Sequence, residues 1–198
     1  DNLSEKVVIH INDTHPALAI PELMRILMDE HAYTWDHAWE IVTHTVAYTN
    51  HTVMAEALET WPEDLIQRRI PRIHSIIHEI NQRFCGQIWN TFPGDWEKSE
   101  KMAILSYNTV RMANLSIVGG FSINGVAKIH TEILKEQVFR DFYQMYPEKF
   151  TNITNGIAHR RWLCQANPEL SALLKECIGD GFDKDAEKLA QFKKFEND

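Results

Sequence analysis

Asn12-Asp13-Thr14-His15-Pro16 sets an amide, a carboxylate, a hydroxyl and an imidazole side by side, directly after the apolar run Val7-Val8-Ile9-His10-Ile11. Short hydrogen-bonding side chains gathered at the mouth of a buried strand suit the recognition of sugar hydroxyls, which needs several polar groups aimed by rigid backbone. Three more groups share that character: Tyr48-Thr49-Asn50-His51-Thr52, Asn124-Gly125-Val126-Ala127-Lys128-Ile129-His130 and Thr154-Asn155-Gly156-Ile157-Ala158-His159-Arg160-Arg161-Trp162. Asn50, His51, Thr52 and Asn155 are the side chains within them suited to hydroxyls. Asp13 also has a plainer reading, in which its carboxylate accepts the orphan N–H groups of a helix start.

Other chemistries are less well supplied. Hydrolysis of a glycoside takes two carboxylates, one protonated and one ionised. Asp13 with Glu56 or Glu59 would be the pair, and sequence spacing leaves their separation open. His74 and His78 are four apart on one helical face, as metal ligands can be, but no third ligand accompanies them, and they read as flanks of an isoleucine stripe. Gly119-Gly120 and Asn124-Gly125 match neither a dinucleotide nor a phosphate-loop pattern, so close packing between elements is the expected reason for these glycines. Arg160 and Arg161 point about 100° apart on a helix, so at most one of them serves any single anion. Cys85, Cys164 and Cys177 lack metal or disulfide spacing and are expected to behave as small buried hydrophobes. The four Asn-x-Ser/Thr sequons, at Asn12, Asn50, Asn114 and Asn152, are read as chance matches.

The elements that must hold these groups follow from periodicity. A strand is expected over Val7–Ile11, then a helix capped by Asp13 or Thr14 with Pro16 in its first turn and Ala19, Leu23, Ile26 and Leu27 as its stripe. A second helix is expected over Trp35–Ala47, delivering Tyr48–Thr52 to a turn. From Pro62 to Asn90 the pattern is helical with a break near Pro71, and Ile73, Ile76, Ile77, Ile80, Phe84 and Ile88 make a clear 3.6-residue stripe. Residues 91–100 read as a connecting loop, followed by a helix from Lys101. Leu115–Val118 reads as a short buried strand, residues 124–146 as a long helix, and Phe150–Thr154 as a strand. Arg160–Leu163 and Pro168–Ile178 read as helical, the latter closed by Gly179. The tail from Asp180 is charged and sparsely apolar.

The 198 residues, 44% of them hydrophobic, allow one large domain or two small ones with a packed core. Twenty basic against 28 acidic residues give a net charge of -8, which offers no electrostatic footprint for nucleic acid. No apolar stretch reaches the roughly 20 residues of a membrane span. The first residues do not form a signal peptide. A cytoplasmic protein, without nucleic-acid or membrane partners, is the expectation. The chain opens without a methionine and a strand begins almost at once, so it reads as an excised piece of something longer.

The four motifs together resemble the middle of an α-glucan phosphorylase of the glycogen, starch or maltodextrin type, over roughly residues 6–178. The resemblance implies a helix-dominated α/β fragment of a two-domain, Rossmann-like (GT-B type) glycosyltransferase. Residues 1–155 would be the end of an N-terminal sugar-binding domain, and 156–198 the incomplete start of a C-terminal pyridoxal-phosphate domain. By similarity, Asn155 and the His51 backbone contact the 6-hydroxyl side of a glucosyl unit, with Val126 lining the same pocket. Asp13, His15, Thr52 and Glu59 line the space beside the anomeric carbon, and Trp162 packs by pyridoxal phosphate. The implied reaction cleaves a terminal α-1,4 linkage of a glucan with inorganic phosphate and releases glucose 1-phosphate. In the family the cofactor's phosphate relays the proton, which accounts for the missing hydrolase dyad. The parent would be a homodimer.

The family's Schiff-base lysine and substrate-phosphate residues have no counterpart in this chain, so the resemblance implies that the chain alone is inactive and carries no catalytic residue; no metal site is expected. Ala158-His159 in place of the Thr-Pro of animal relatives suggests a bacterial type, and residues 91–109 and 180–198 match the family poorly. A noncatalytic carbohydrate-binding or structural module is the alternative. A hydrolase using Asp13 and Glu59 comes third.

Overall fold

The computed structural model describes residues 2–197. The chain divides into two compact units, residues 1–154 and 155–198. Asn155 is thus the first residue of the second unit.

In the first unit, α1 (Leu3–Lys6) leads into β1 (Ile9–Asn12). A tight turn then carries the chain to α2 (Ala19–Arg25). Ala17 N donates to Thr14 O, and Ala19 N to Pro16 O, both at 2.9 Å. The helix therefore starts three residues beyond Pro16, not around it. Its buried face is Ile20, Pro21 and Met24, continued by Leu27 in a wider turn over Ile26–Glu30, while Ala19, Leu23 and Ile26 stay partly exposed. Pro16 accounts for the shift, because its ring restricts the residue before it and the chain turns before it coils.

α3 (Trp35–Thr45) is capped by the Thr34 hydroxyl and gives way at Val46 to β2 (Val46–Thr49). Tyr48 and Thr49 thus lie in a strand, not in a turn. After a short loop come β3 (Thr60–Pro62), α4 (Glu63–Arg69) and α5 (Pro71–Thr91), split at Pro71. All six stripe residues of α5 are buried. α6 (Trp96–Met102) begins within the stretch read as loop, because the Asp95 side chain caps it by accepting Lys98 N at 3.0 Å. β4 (Leu105–Ser106) and β5 (Thr109–Arg111) form a hairpin that pairs with β3 in a three-stranded antiparallel sheet.

Leu115–Val118 is helical, not extended, and belongs to α7 (Met112–Gly119), every residue of which is buried. A segment enclosed on all sides shows no period, so periodicity alone does not separate a buried helix from a buried strand. β6 (Ser122–Gly125) occupies the start of the stretch read as one long helix. The helical part is broken into α8 (Lys128–Ile133), a wider turn over Leu134–Val138, and α9 (Arg140–Met145). β7 (Phe150–Asn152) completes a four-stranded, wholly parallel sheet in the order β1-β2-β6-β7.

Two close approaches require glycine. A Cβ on Gly119 would come within 2.7 Å of the Ile20 side chain, so the end of α7 approaches α2 closely there. A Cβ on Gly125 would meet Thr131 Oγ1 at 2.4 Å and Thr131 Cα at 3.0 Å, so the end of β6 lies against the first turn of α8. These glycines join helix to helix and strand to helix. The core is one contiguous apolar cluster, with Ile11, Ile20, Met24, Val42, Tyr48, Ile77, Phe84, Leu115 and Ile123 near its centre.

In the second unit, a wider helical turn over Arg160–Gln165 precedes α10 (Pro168–Ile178). Asn167 caps α10 through Leu170 N at 3.1 Å, Pro168 occupies its first turn, and Gly179 ends it at φ +80°. Ser171 and Leu174 of α10 are buried, as is Phe182 beyond it. Cys85, Cys164 and Cys177 are all half-buried rather than fully enclosed.

Candidate functional site: the carboxyl ends of the parallel strands

Open parallel sheets bind ligands in the crevice beyond the carboxyl ends of their strands. In the first unit those ends are Asn12, Thr49, Gly125 and Asn152, and the motifs follow them directly. The ladder runs past the strand ends: Asp13 N donates to Thr49 O at 2.9 Å, Asn50 N to Asn124 O at 3.0 Å, and Ile153 N to Gly125 O at 3.1 Å. Backbone pairing therefore continues past the ends of β1, β2 and β7. Asp13, His15, His51, Thr52 and Val126 follow the ends of β1, β2 and β6 by one to three residues, and together make a row along the carboxyl edge of the sheet.

Asp13 adopts φ +63°, a left-handed conformation that Asp tolerates better than most residues. Its Oδ1 accepts the Thr14 N–H at 2.6 Å, which closes the turn and leaves Oδ2 free of that contact. His15 is exposed in the same turn. His51 is exposed and shares a hydrogen bond with Asn12 Oδ1 at 2.6 Å, so the loop after β2 is tied to the end of β1. Thr52 N donates to Asn50 Oδ1 at 2.9 Å, and the Thr52 hydroxyl accepts Met54 N at 3.1 Å.

Glu59 stands immediately before β3. The buried Thr14 hydroxyl donates to Glu59 Oε2 at 2.8 Å, and Trp61 Nε1 donates to Oε1 at 2.8 Å. With an O–H donor on one oxygen and an N–H donor on the other, the carboxylate is held as an acceptor at the row's edge. Glu59 also borders a cavity of about 260 Å³ shared with Leu58, Met102, Arg111 and Phe139. Glu56 is exposed in a 3₁₀ turn without a comparable tether. A larger hollow of about 760 Å³ between α3 and α5 includes Trp35, Trp39, Arg83 and Tyr146. None of the candidate residues lines it.

Asn50 plays a different part from the one its position suggested. It is fully buried, its amide donating to the Tyr48 hydroxyl at 3.0 Å while Oδ1 accepts from Thr52 N and from the His130 ring. It supports the row and does not face a ligand. Burial raises the Tyr48 hydroxyl's pKa, with the Asn50 hydrogen bond opposing and the Asp13 charge adding to the rise. A second support runs across the sheet: His10 Nε2 bonds the Thr49 hydroxyl, which donates to Asn124 Oδ1, whose amide donates to Gly125 O at 3.1 Å.

His130, Tyr48, Thr14 and Trp61 were not singled out from sequence as site residues. The signal for Thr14 and His130 lay within the motifs themselves. That for Trp61 did not exist, because β3 had no recognisable pattern. His74 pairs with Glu63 at 2.9 Å and so serves as the plain flank of α5.

Asn155 and Trp162 belong to the second unit. Asn155 is exposed, and Trp162 is 64% exposed. Arg160 donates to Asp183 O at 3.1 Å.

The fold defines an open α/β protein whose polar motif residues gather at the carboxyl edge of its parallel sheet. The chain matches the carbohydrate phosphorylase family over residues 1–198, and it belongs to that family. It is 56% identical to glycogen phosphorylase of Bacillus subtilis (strain 168) over 196 residues, 99% of this chain and 25% of that protein. It is 48% identical to the muscle form from Homo sapiens over 201 residues, and 49% identical to the brain form from Rattus norvegicus over 197 residues. These cover 100% and 98% of this chain, and 24% and 23% of those proteins. The chain therefore spans about a quarter of the length of these relatives. The match extends beyond residues 6–178 at both ends and includes 91–109 and 180–198, the stretches whose motifs resemble the family poorly.

Proposed function

We propose that this chain is the glucosyl-binding part of an α-1,4-glucan phosphorylase, a glycosyltransferase that releases glucose 1-phosphate from a glucan with inorganic phosphate. The observation that carries the reading is the family match along the whole chain, with the motif residues aligned at adjacent strand ends. Its assigned roles are His51, Val126 and Asn155 at the 6-hydroxyl side, and Asp13, His15, Thr52 and Glu59 beside the anomeric carbon. We assign residues 1–155 to the end of an N-terminal sugar-binding domain and 156–198 to the start of a C-terminal domain of a GT-B-type fold. The parent is a cytoplasmic homodimer in this reading.

Pyridoxal phosphate is the proposed cofactor of the parent. The exposed indole of Trp162 suits the flank of a planar ring, and this chain supplies no Schiff-base lysine, so its contribution is contact and not anchorage. When bound, the cofactor supplies the phosphate that relays a proton. The residues of this chain bind and orient the sugar. Glu59, with both oxygens already accepting hydrogen bonds, suits the role of orienting acceptor better than that of a protonated leaving-group acid.

The test is to incubate the full-length protein with maltodextrin, pyridoxal phosphate and inorganic phosphate, beside the present chain alone. Glucose 1-phosphate is expected from the full-length protein and none from the chain. Its absence from both would overturn the reading in favour of a noncatalytic carbohydrate-binding module.

A further inference from the structure

His130 lies in α8, and both of its ring nitrogens are engaged. Nδ1 accepts the Val126 backbone N–H at 3.0 Å, which only an unprotonated nitrogen can do. The ring proton therefore sits on Nε2, which is 3.1 Å from Asn50 Oδ1 and donates to it. Asn50 is fully buried and its oxygen also takes the Thr52 N–H, so one amide oxygen joins the ring to the loop after β2. On the other side the ring reaches the turn after β6, and a Cβ on Gly125 would lie 3.1 Å from Nδ1. His130 thus links the two loops through its two ring nitrogens.

We propose that His130 is a positioning residue that sets the spacing between the His51–Thr52 loop and the Val126 turn, and thereby the protein's discrimination for a glucosyl 6-hydroxyl. This rests on the phosphorylase reading, which puts the His51 backbone and Val126 at that hydroxyl. Two features distinguish it from a core histidine that merely fills space. The ring uses a single tautomer, and each nitrogen bonds a different loop of the proposed pocket.

The test uses the full-length protein and compares kcat/KM for glucose 1-phosphate with that for its 6-deoxy analogue as glucosyl donors. That ratio is independent of how much of a variant is folded, so a loss of stability does not move it. His130→Asn keeps an acceptor for Val126 but falls short of Asn50. His130→Gln reaches Asn50 but no longer accepts from Val126. Each is expected to reduce the preference for the 6-hydroxyl donor roughly 10-fold, and His130→Leu more. An unchanged ratio in all three overturns the proposal while leaving the phosphorylase reading intact. No transfer by the unaltered protein overturns that reading and this inference with it. Should no variant fold, imidazole ¹⁵N shifts of the unaltered protein decide: a proton on Nε2 of His130 supports the proposal, and one on Nδ1 overturns it.

Discussion

Thr14 shows how a single hydroxyl is used in this site. It is 2% exposed, and its proton goes to Glu59 Oε2 at 2.8 Å, so it holds a carboxylate that sequence places 45 residues away. Thr14→Val is expected to lower stability by about 1 kcal/mol, the usual net worth of such a bond, while Thr14→Ser keeps it. Urea unfolding of the two variants checks the difference. In the full-length protein Thr14→Val should also raise KM for the glucan, because Trp61 alone then restrains Glu59. Asp13 belongs to the same scale: its left-handed backbone is held by its own carboxylate bonding Thr14 N. A small cost in conformation is met locally, at a strand end where the site needs the chain to turn sharply.

At the scale of elements, the junction of β6 and α8 governs the site. The end of the strand lies so close to Thr131 that only glycine fits at 125, and Thr131 in turn donates to Asn152 Oδ1 at 2.8 Å at the end of β7. Gly125→Ala should force α8 away from the sheet and cost about 1–3 kcal/mol, the range for overpacking a tight contact. A fall of that size in unfolding free energy checks the point, and a substitution without effect would show that the helix can move aside. α5 contributes differently. Its six buried side chains join the apolar core, and the helix packs against α2, α4 and α6, so its part is support for the elements that carry the row.

Across the whole first unit, three titratable groups, the buried Tyr48 and the half-buried Tyr146 and Lys149, shape the response to pH. Burial pushes the Lys149 ammonium down to about 8, with Glu148 opposing, while it donates to Ile117 O at 3.2 Å at the end of α7. An unfolded lysine titrates near ~10.4, so between about pH 8 and pH 10 the unfolded chain binds more protons and stability rises with pH. Burial pushes Tyr146 up to about 12 and raises Tyr48 as well, so above about pH 10 the native state binds more protons and stability falls. The urea midpoint should therefore climb above pH ~8 and turn over near pH ~10. Lys149→Met is expected to flatten the climb and leave the turnover. A midpoint that does not rise in the unaltered protein would contradict the assignment.

What the amino-acid sequence determined by itself were the features written in local period and in contiguous motif. The α5 stripe, the break at Pro71, the Asn167–Pro168 start and Gly179 end of α10, and the four polar groups at strand mouths all depend on neighbours within about one or two helical turns. Only the tertiary structure decided which side chains face a ligand and which stand behind them. Asn50 and His51 are adjacent, yet one is fully buried and the other exposed, because residues of a strand end point alternately and β6 with α8 covers one side. Leu115–Val118 reads as a strand yet is helical, because a segment enclosed on every side carries no period to tell the two apart. The links Thr14 to Glu59, His51 to Asn12 and His130 to Asn50 span 45, 39 and 80 residues. Contacts at such separations come from strand order and helix packing, which no local pattern encodes.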